Sequence, residues 1–294
     1  FLNVTDLAAD EIHAPLDLPQ QTEIRPVLAG QGVALIFEKP SNRTRQSMEM
    51  AVAQLGGHPV YTRGEEVGLD VRETVEDVTR VMAGYHGVLA ARVFDHDRVQ
   101  RMAAVSTVPV VNMLSDLSHP LQAMADVLTM QQVHGTLTGL TVAYVGDYNN
   151  VSRSLAEACL ILGANVSLGC PSGYGATDEE LERLSLLGAG EIRQVTRPVE
   201  AVAGAVAVHT DTWTSMGQEA EKAARQQAFE GYTVDAAMMS AAAPGAGFYH
   251  CLPAYRGYEV SAEVIDGPSS HVIAQAHNRM HAARGVLAFL MGVR

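Results

Sequence analysis

Ser41, Asn42, Arg43, Thr44 and Arg45 follow one another where an apolar run ends and a helical pattern begins. A helix start offers free backbone N–H groups and the positive end of the helix dipole, so it favours an anion. Two guanidiniums and two hydroxyls beside it add fork-shaped, charge-assisted donors suited to a phosphate. The same residues also fit a capped surface helix with two solvated arginines, and spacing alone does not separate these readings.

Other polar groups stand where apolar runs end. Arg92 closes the run 87–91, and His119-Pro120-Leu121-Gln122 follows the run 108–113, with Pro120 placed for a first helical turn. Taken singly, such an arginine is most often solvated and such a histidine a cap; together Arg92, His119 and Gln122 offer three convergent donors. Gly146-Asp147-Tyr148-Asn149-Asn150 also lies between a strand pattern and a helix pattern. It lacks G-x-G-x-x-G, because Tyr148 takes the middle glycine's place, so close backbone approach to a pyrophosphate is disfavoured. One asparagine amide is then either a cap or a contact for a small amphoteric ligand. Asp211, Trp213 and Ser215-Met216-Gly217 come after the run 205–210. A lone aspartate there is usually a cap, yet an amino acid's α-ammonium needs a carboxylate and its carboxylate needs amide donors. Cys251 closes the run 247–251, where a thiol is ordinarily a small hydrophobe, and Leu252 follows it. Asn278 and Arg279 sit in the terminal helical pattern.

These groups need elements that deliver strand ends to one place. The run 33–37 reads as a buried strand; Met48, Met50 or Ala51, Val52 and Leu55 then repeat at helical spacing until Gly56-Gly57 stops them. Residues 3–18 predict a helix begun by Thr5 or Asp6 and kinked or ended at Pro15. A strand at 58–61, a polar loop at 62–73, a helix at 74–84, and strands at 87–91 and 108–113 around a helix at 97–105 follow. A long helix is expected over 120–135. Strands at 141–145, 165–170, 191–196, 205–210 and 247–251 come next, alternating with helices such as 151–162. The last helix, 275–292, carries Ala276, Met280, Ala283, Val286, Leu287 and Leu290 on one stripe. This alternation predicts an α/β fold with two doubly wound parallel-sheet domains of similar size joined by long helices, and ligands at strand C-terminal ends between them. The expected division is 1–122, with the helix 272–294 packing back on it, and 123–271.

With 294 residues, 47% of them hydrophobic, the chain can bury the cores of two domains. A net charge of −13 argues against nucleic acid and against an anionic membrane surface as partners. An acidic protein can still hold a locally positive cleft. Of 20 basic residues only Lys39 and Lys222 are lysines, a compositional bias before it is anion chemistry. Cys159, Cys170 and Cys251 form no C-x-x-C pair, which fits a reducing, cytoplasmic setting. No apolar run reaches membrane-spanning length and no signal peptide is visible. The chain as given begins at Phe1 rather than Met.

In order and separation the motifs resemble those of the aspartate/ornithine carbamoyltransferase family. Residues 41–45 resemble S-T-R-T-R with Asn42 replacing the first Thr, and Arg92 with residues 119–122 resembles its R and H-P-x-Q. Residues 146–150 match G-D-x-N-N, residues 211–219 D-x-W-x-S-M-G-x-E, and residues 250–253 H-C-L-P. The last two are characteristic of the ornithine-specific branch. Asn278-Arg279 resembles an E-N-R helix, with His277 in place of Glu.

The resemblance implies a first domain that binds carbamoyl phosphate through Ser41, Asn42, Arg43, Thr44, Arg45, Arg92, His119, Gln122, Cys251, Leu252 and Arg279. It implies a second that binds ornithine through Asn150, Asp211, Ser215 and Met216. Arg92, His119, Cys251 and Asp211 are the implied catalytic groups. The implied reaction forms citrulline and phosphate with no metal and no cofactor, in a homotrimer or a multiple of trimers. Two departures bear on this: Asn42 leaves a backbone cradle possible, whereas Gly68 falls where relatives carry a Gln or His that reaches a neighbouring subunit's site. Leu121 occupies a variable position. A carbamoyltransferase for putrescine, lysine or N-acetylornithine, or a non-catalytic relative, are the competing expectations. Arginine biosynthesis and breakdown both remain open.

Overall fold

The computed structural model describes residues 1–18, 25–214 and 219–293. The chain divides into two compact units, one of Phe1–Leu128 with His277–Arg294, the other of Thr129–Ala276.

The first unit holds a parallel sheet of β1 (Gly32–Phe37), β2 (His58–Arg63), β3 (Val88–Arg92) and β4 (Val110–Leu114), ordered β2-β1-β3-β4. Parallel neighbours need crossovers, which helices supply. After α1 (His13–Asp17), α2 (Asn42–Gln54) joins β1 to β2, and α3 (Gly64–Val67) with α4 (Val75–Ala83) joins β2 to β3. Then α5 (His96–Val105) joins β3 to β4, and α6 (Pro120–His134) leads out of the sheet. The inner strands are apolar on both faces because both are covered. Ala34, Ile36, Leu89 and Ala91 pack with Val75, Val78, Val99 and Met102. β2 is an edge strand and stays half-exposed. Strand order reverses between β1 and β3, so the crevice beyond their C-terminal ends is the place where an open α/β sheet takes a ligand.

The second unit has β5 (Thr141–Val145), β6 (Asn165–Gly169), β7 (Ile192–Val195), β8 (Ala207–Thr210) and β9 (Gly247–His250), all parallel and ordered β7-β6-β5-β8-β9. Around it lie α7 (Asn150–Ile161), α8 (Asp178–Ser185), α9 (Pro198–Val202), α10 (Lys222–Ala228), α11 (Ala236–Ser240) and α12 (Ala262–Ile265). Its core joins Val145, Val208 and Phe248 to Trp213 and Phe229, whose rings stack at 5.5 Å. Here the order reverses between β5 and β8. The chain leaves the first unit within α6 and returns to it within α13 (Val272–Leu290). No helix among the described residues is long and apolar enough to cross a membrane.

One expectation fails at the start of the chain. Residues 3–18 do not form a single helix but a 3-10 turn, Val4–Asp6, and the short α1. The Asp6 carboxylate accepts the backbone N–H groups of Leu2 (2.6 Å) and Asn3 (3.1 Å), and Glu11 accepts that of Ala8 (3.2 Å). Such local bonds compete with a continuous helix. Pro15 lies buried inside α1 rather than ending it. The stretch 62–73 is also less loop-like than its polarity suggests, because it contains α3, closed by Gly68 at φ +61°.

Candidate functional site

Ser41 caps α2: its extended backbone lets Oγ accept the N–H of Thr44 at 3.5 Å. The same hydroxyl donates to Thr44 Oγ1 at 3.1 Å. Arg92, the last residue of β3, reaches that oxygen through Nη1 at 3.4 Å. The β3–β4 register shifts between Ala91 and Arg92, an irregularity of the kind that re-aims a side chain. Arg279, on α13, donates Nη2 to Thr44 Oγ1 at 3.0 Å and Nη1 to Gln122 Oε1 at 2.7 Å. A hydroxyl oxygen has two lone pairs, and three donors converge on this one. Both guanidiniums are almost fully buried, so the group concentrates positive charge at the start of α2. Such a cluster of charged donors suits an oxyanion.

His119 precedes α6 in the same unit and is 4% exposed. Burial first, then the charges of Arg279 and Arg92, pushes its imidazole well below the usual range. The ring is therefore neutral at neutral pH and can donate one N–H without adding a third charge. Asn42 is exposed and Arg43 half-buried in the first turn of α2. Arg45 does not join the group around Thr44. Its guanidinium lies over the Tyr61 ring at 3.8 Å and donates to Glu49, one turn along α2, at 2.7 Å.

In the second unit Asp211 follows β8 and is 6% exposed. Its Oδ1 accepts the Cys251 thiol at 3.2 Å and its Oδ2 accepts Asn149 Nδ2 at 3.2 Å. Asn149 also caps α7, with Oδ1 accepting the N–H groups of Val151 and Ser152. Asn150, the asparagine singled out from sequence, opens α7 and is half-buried. Ser215 and Met216 lie outside the described residues. Cys251 is half-buried and Leu252 has φ +59°, outside the range a leucine normally adopts. That backbone is held from below: the Leu252 N–H donates to His250 Nδ1 at 2.9 Å, and His250 Nε2 faces Glu259 Oε1 at 3.2 Å.

Asp211, His250 and Cys251 present possible metal-ligand atoms within 4.8 Å of one another. Both His250 nitrogens already carry hydrogen bonds, which leaves its imidazole committed to the Leu252 turn. The turn before α7 is braced as well. Asp147 Oδ2 accepts Arg225 Nη1 at 2.7 Å, and the same nitrogen donates to the Trp213 carbonyl at 3.2 Å. Burial pushes the Asp147 carboxyl above the usual range, against the pull of Arg225. Sequence reasoning allowed Asn149 a cap role but not its contact with Asp211, and missed Arg225 and Asp126 (which accepts Gln122 Nε2 at 2.7 Å). Only the doubled asparagine of 149–150 carried a usable signal.

Comparison with known proteins bears on both units. The carbamoyl-P binding domain of aspartate/ornithine carbamoyltransferases matches residues 1–132, and the Asp/Orn binding domain matches residues 138–290. A protein of Parafrankia sp. (strain EAN1pec) named ornithine carbamoyltransferase is 44% identical, covering 99% of this chain and 95% of that protein. One from Pyrococcus furiosus, named "Ornithine carbamoyltransferase, anabolic", is 42% identical over 99% of this chain and 96% of its own. The solved structure of ornithine carbamoyltransferase from Pyrococcus furiosus superposes with a TM-score of 0.95 at 41% identity, covering 100% of this chain and 97% of that one.

Proposed function

This chain belongs to the aspartate/ornithine carbamoyltransferase family, and we propose that it transfers the carbamoyl group of carbamoyl phosphate to the δ-amine of L-ornithine, giving L-citrulline and phosphate. The observation that carries this reading is the convergence of Arg92 and Arg279 on Thr44 Oγ1 at the start of α2. That group gathers two buried guanidiniums at a helix start, a setting matched to the phosphate of an acyl phosphate.

In this reading the start of α2, with Ser41, Asn42, Arg43 and Thr44, takes the phosphate, and Arg279 closes on it. Arg45 takes part only by leaving Glu49 and Tyr61. Thr44, Arg92 and neutral His119 donate to the carbonyl oxygen, which gains negative charge as the C–N bond forms. Donors fixed in advance at such an oxygen are each worth roughly 3–4 kcal/mol of barrier. Gln122 holds Arg279 and completes the donor set. In the second unit Asp211, Asn150, Ser215 and Met216 receive ornithine, and Cys251 beside Asp211 aligns its amine. The Leu252 carbonyl is held by its unusual backbone for the carbamoyl NH2. The neutral amine attacks the carbonyl carbon, the C–O bond to phosphate breaks with its electron pair going to phosphate, and the proton shed by the nitrogen passes to the departing phosphate. Positioning and electrostatics supply most of the acceleration.

The anabolic name of the Pyrococcus furiosus relative favours arginine biosynthesis. Three free cysteines fit a reducing cytoplasm. A homotrimer, or a multiple of trimers, is the assembly that goes with the family.

Asp211→Asn tests the division of labour. It removes the charge that faces the amino acid but nothing around Thr44, so the KM for ornithine should rise at least about tenfold more than that for carbamoyl phosphate. Equal effects on both substrates, measured by citrulline kinetics, would mean that Asp211 does not belong to the amino-acid pocket.

A further inference from the structure

Asp126 lies one turn after Gln122 on α6, in the same unit as Thr44, and is fully buried. A primary amide has a donor end and an acceptor end, a guanidinium only donates, and a carboxylate accepts. Gln122 stands between the last two. Its Nε2 donates to Asp126 Oδ1 at 2.7 Å and its Oε1 accepts Arg279 Nη1 at 2.7 Å. Only one orientation of the amide satisfies both neighbours; turned over, it sets N–H against N–H and oxygen against oxygen. The orientation of a glutamine amide is assigned from its partners, and here the partners leave one choice.

Arginine side chains carry about 2 kcal/mol of rotamer entropy, so a guanidinium is aimed only where something holds it. Arg279 is held at Gln122 Oε1 and at Thr44 Oγ1. We propose that Asp126 is a positioning residue: by fixing the Gln122 amide it presents Oε1 to Arg279 and so holds the guanidinium at Thr44. This rests on the reading that the Thr44 group receives an anionic acyl donor.

The proposal has a reversal test. Pairing Gln122→Glu with Asp126→Asn keeps the net charge and exchanges the donor between the two positions. The new amide can donate to one oxygen of the new carboxylate while the other accepts Arg279. Inorganic phosphate binding is measured by titration calorimetry, and kcat/KM for carbamoyl phosphate by citrulline formation. Asp126→Asn alone should weaken both about tenfold, as expected when two coupled neighbours are separated. The double variant should bind phosphate at least about threefold more tightly than Asp126→Asn, and Gln122→Glu alone should be the worst because two carboxylates then meet.

A double variant no better than Asp126→Asn overturns the proposal, and so does an Asp126→Asn protein within about twofold of wild type, because loss of a coupled partner must exceed that. A residue that served the fold alone would show its effect in thermal unfolding and gain nothing from the exchange. If Asp126→Asn does not fold, the double variant still has to fold and bind phosphate more tightly than Gln122→Glu; failure on either point overturns the relay. Should wild type form no citrulline, the functional reading falls while the phosphate titration still decides the role of Asp126. Wild type that binds no inorganic phosphate overturns the relay.

Discussion

His119 couples burial to chemistry at a single ring. Its protonation is disfavoured first by desolvation and then by Arg279 and Arg92, so the folded protein leaves it neutral where the unfolded chain, with the usual value of 6.5, takes up a proton. Protons therefore favour the unfolded chain. The contribution is fully present above pH 6.5 and is lost progressively as pH falls from there toward the lowered folded value. His119→Asn should accordingly lose less stability than wild type between about pH 7 and pH 5, read from urea midpoints. His134, His271 and His281 are also pushed down by burial and keep their share of the acid sensitivity in the variant. Equal slopes for the two proteins would contradict the account.

At this scale the sequence was informative where a residue type was unusual for its place. Ser41, Thr44, Arg92 and Gln122 stood at strand or helix ends, Arg279 sat inside the last helix, and all five meet within one unit. Arg45 belongs to the same motif but faces the other way, because position 49 offers a carboxylate one turn along and Tyr61 a ring. Which of two adjacent asparagines reaches Asp211 depends on α7 starting at Asn150, a boundary that composition does not fix to one residue. Asp126 gave no signal, since its partner lies one turn back inside an apolar helix.

At the scale of elements, capping separates stability from binding. Thr74 caps α4 by accepting the Asp77 N–H at 3.1 Å, in the same way that Ser41 caps α2. Loss of either cap should cost about 1 kcal/mol of stability. Thr74→Ala should leave kinetics unchanged, whereas Ser41→Ala should also raise the KM for carbamoyl phosphate. Unfolding curves with steady-state kinetics on both variants check this, and a Ser41→Ala enzyme with an ordinary KM would make Ser41 a cap and nothing more. The strands were legible because inner parallel strands are continuous apolar runs bounded by turns: 33–37 and 141–145 fall within or on β1 and β5. The stretch 3–18 misled because Asp6, read as a candidate for the helix start, and Glu11 bond back to the chain instead.

The molecule as a whole repeats one device. Each unit has a parallel sheet whose strand order reverses once, and each carries its polar group at the strand ends beside that reversal. The alternation of strands and helices made this readable. What three copies would do could not be read from it, and Gly68, at φ +61°, offers no side chain to a neighbour. Sedimentation should still give a trimer or a multiple of three, and a monomer alone would contradict that assembly.

Citrulline formation at saturating carbamoyl phosphate, with ornithine, putrescine, lysine, N-acetylornithine and aspartate offered in parallel, tests the central claim most directly. The account predicts turnover with ornithine that exceeds every other amine by at least about a hundredfold, the discrimination a site built for a free α-amino acid of that length should give. Equal or faster carbamoylation of another amine, or phosphate release with none of them, would contradict it.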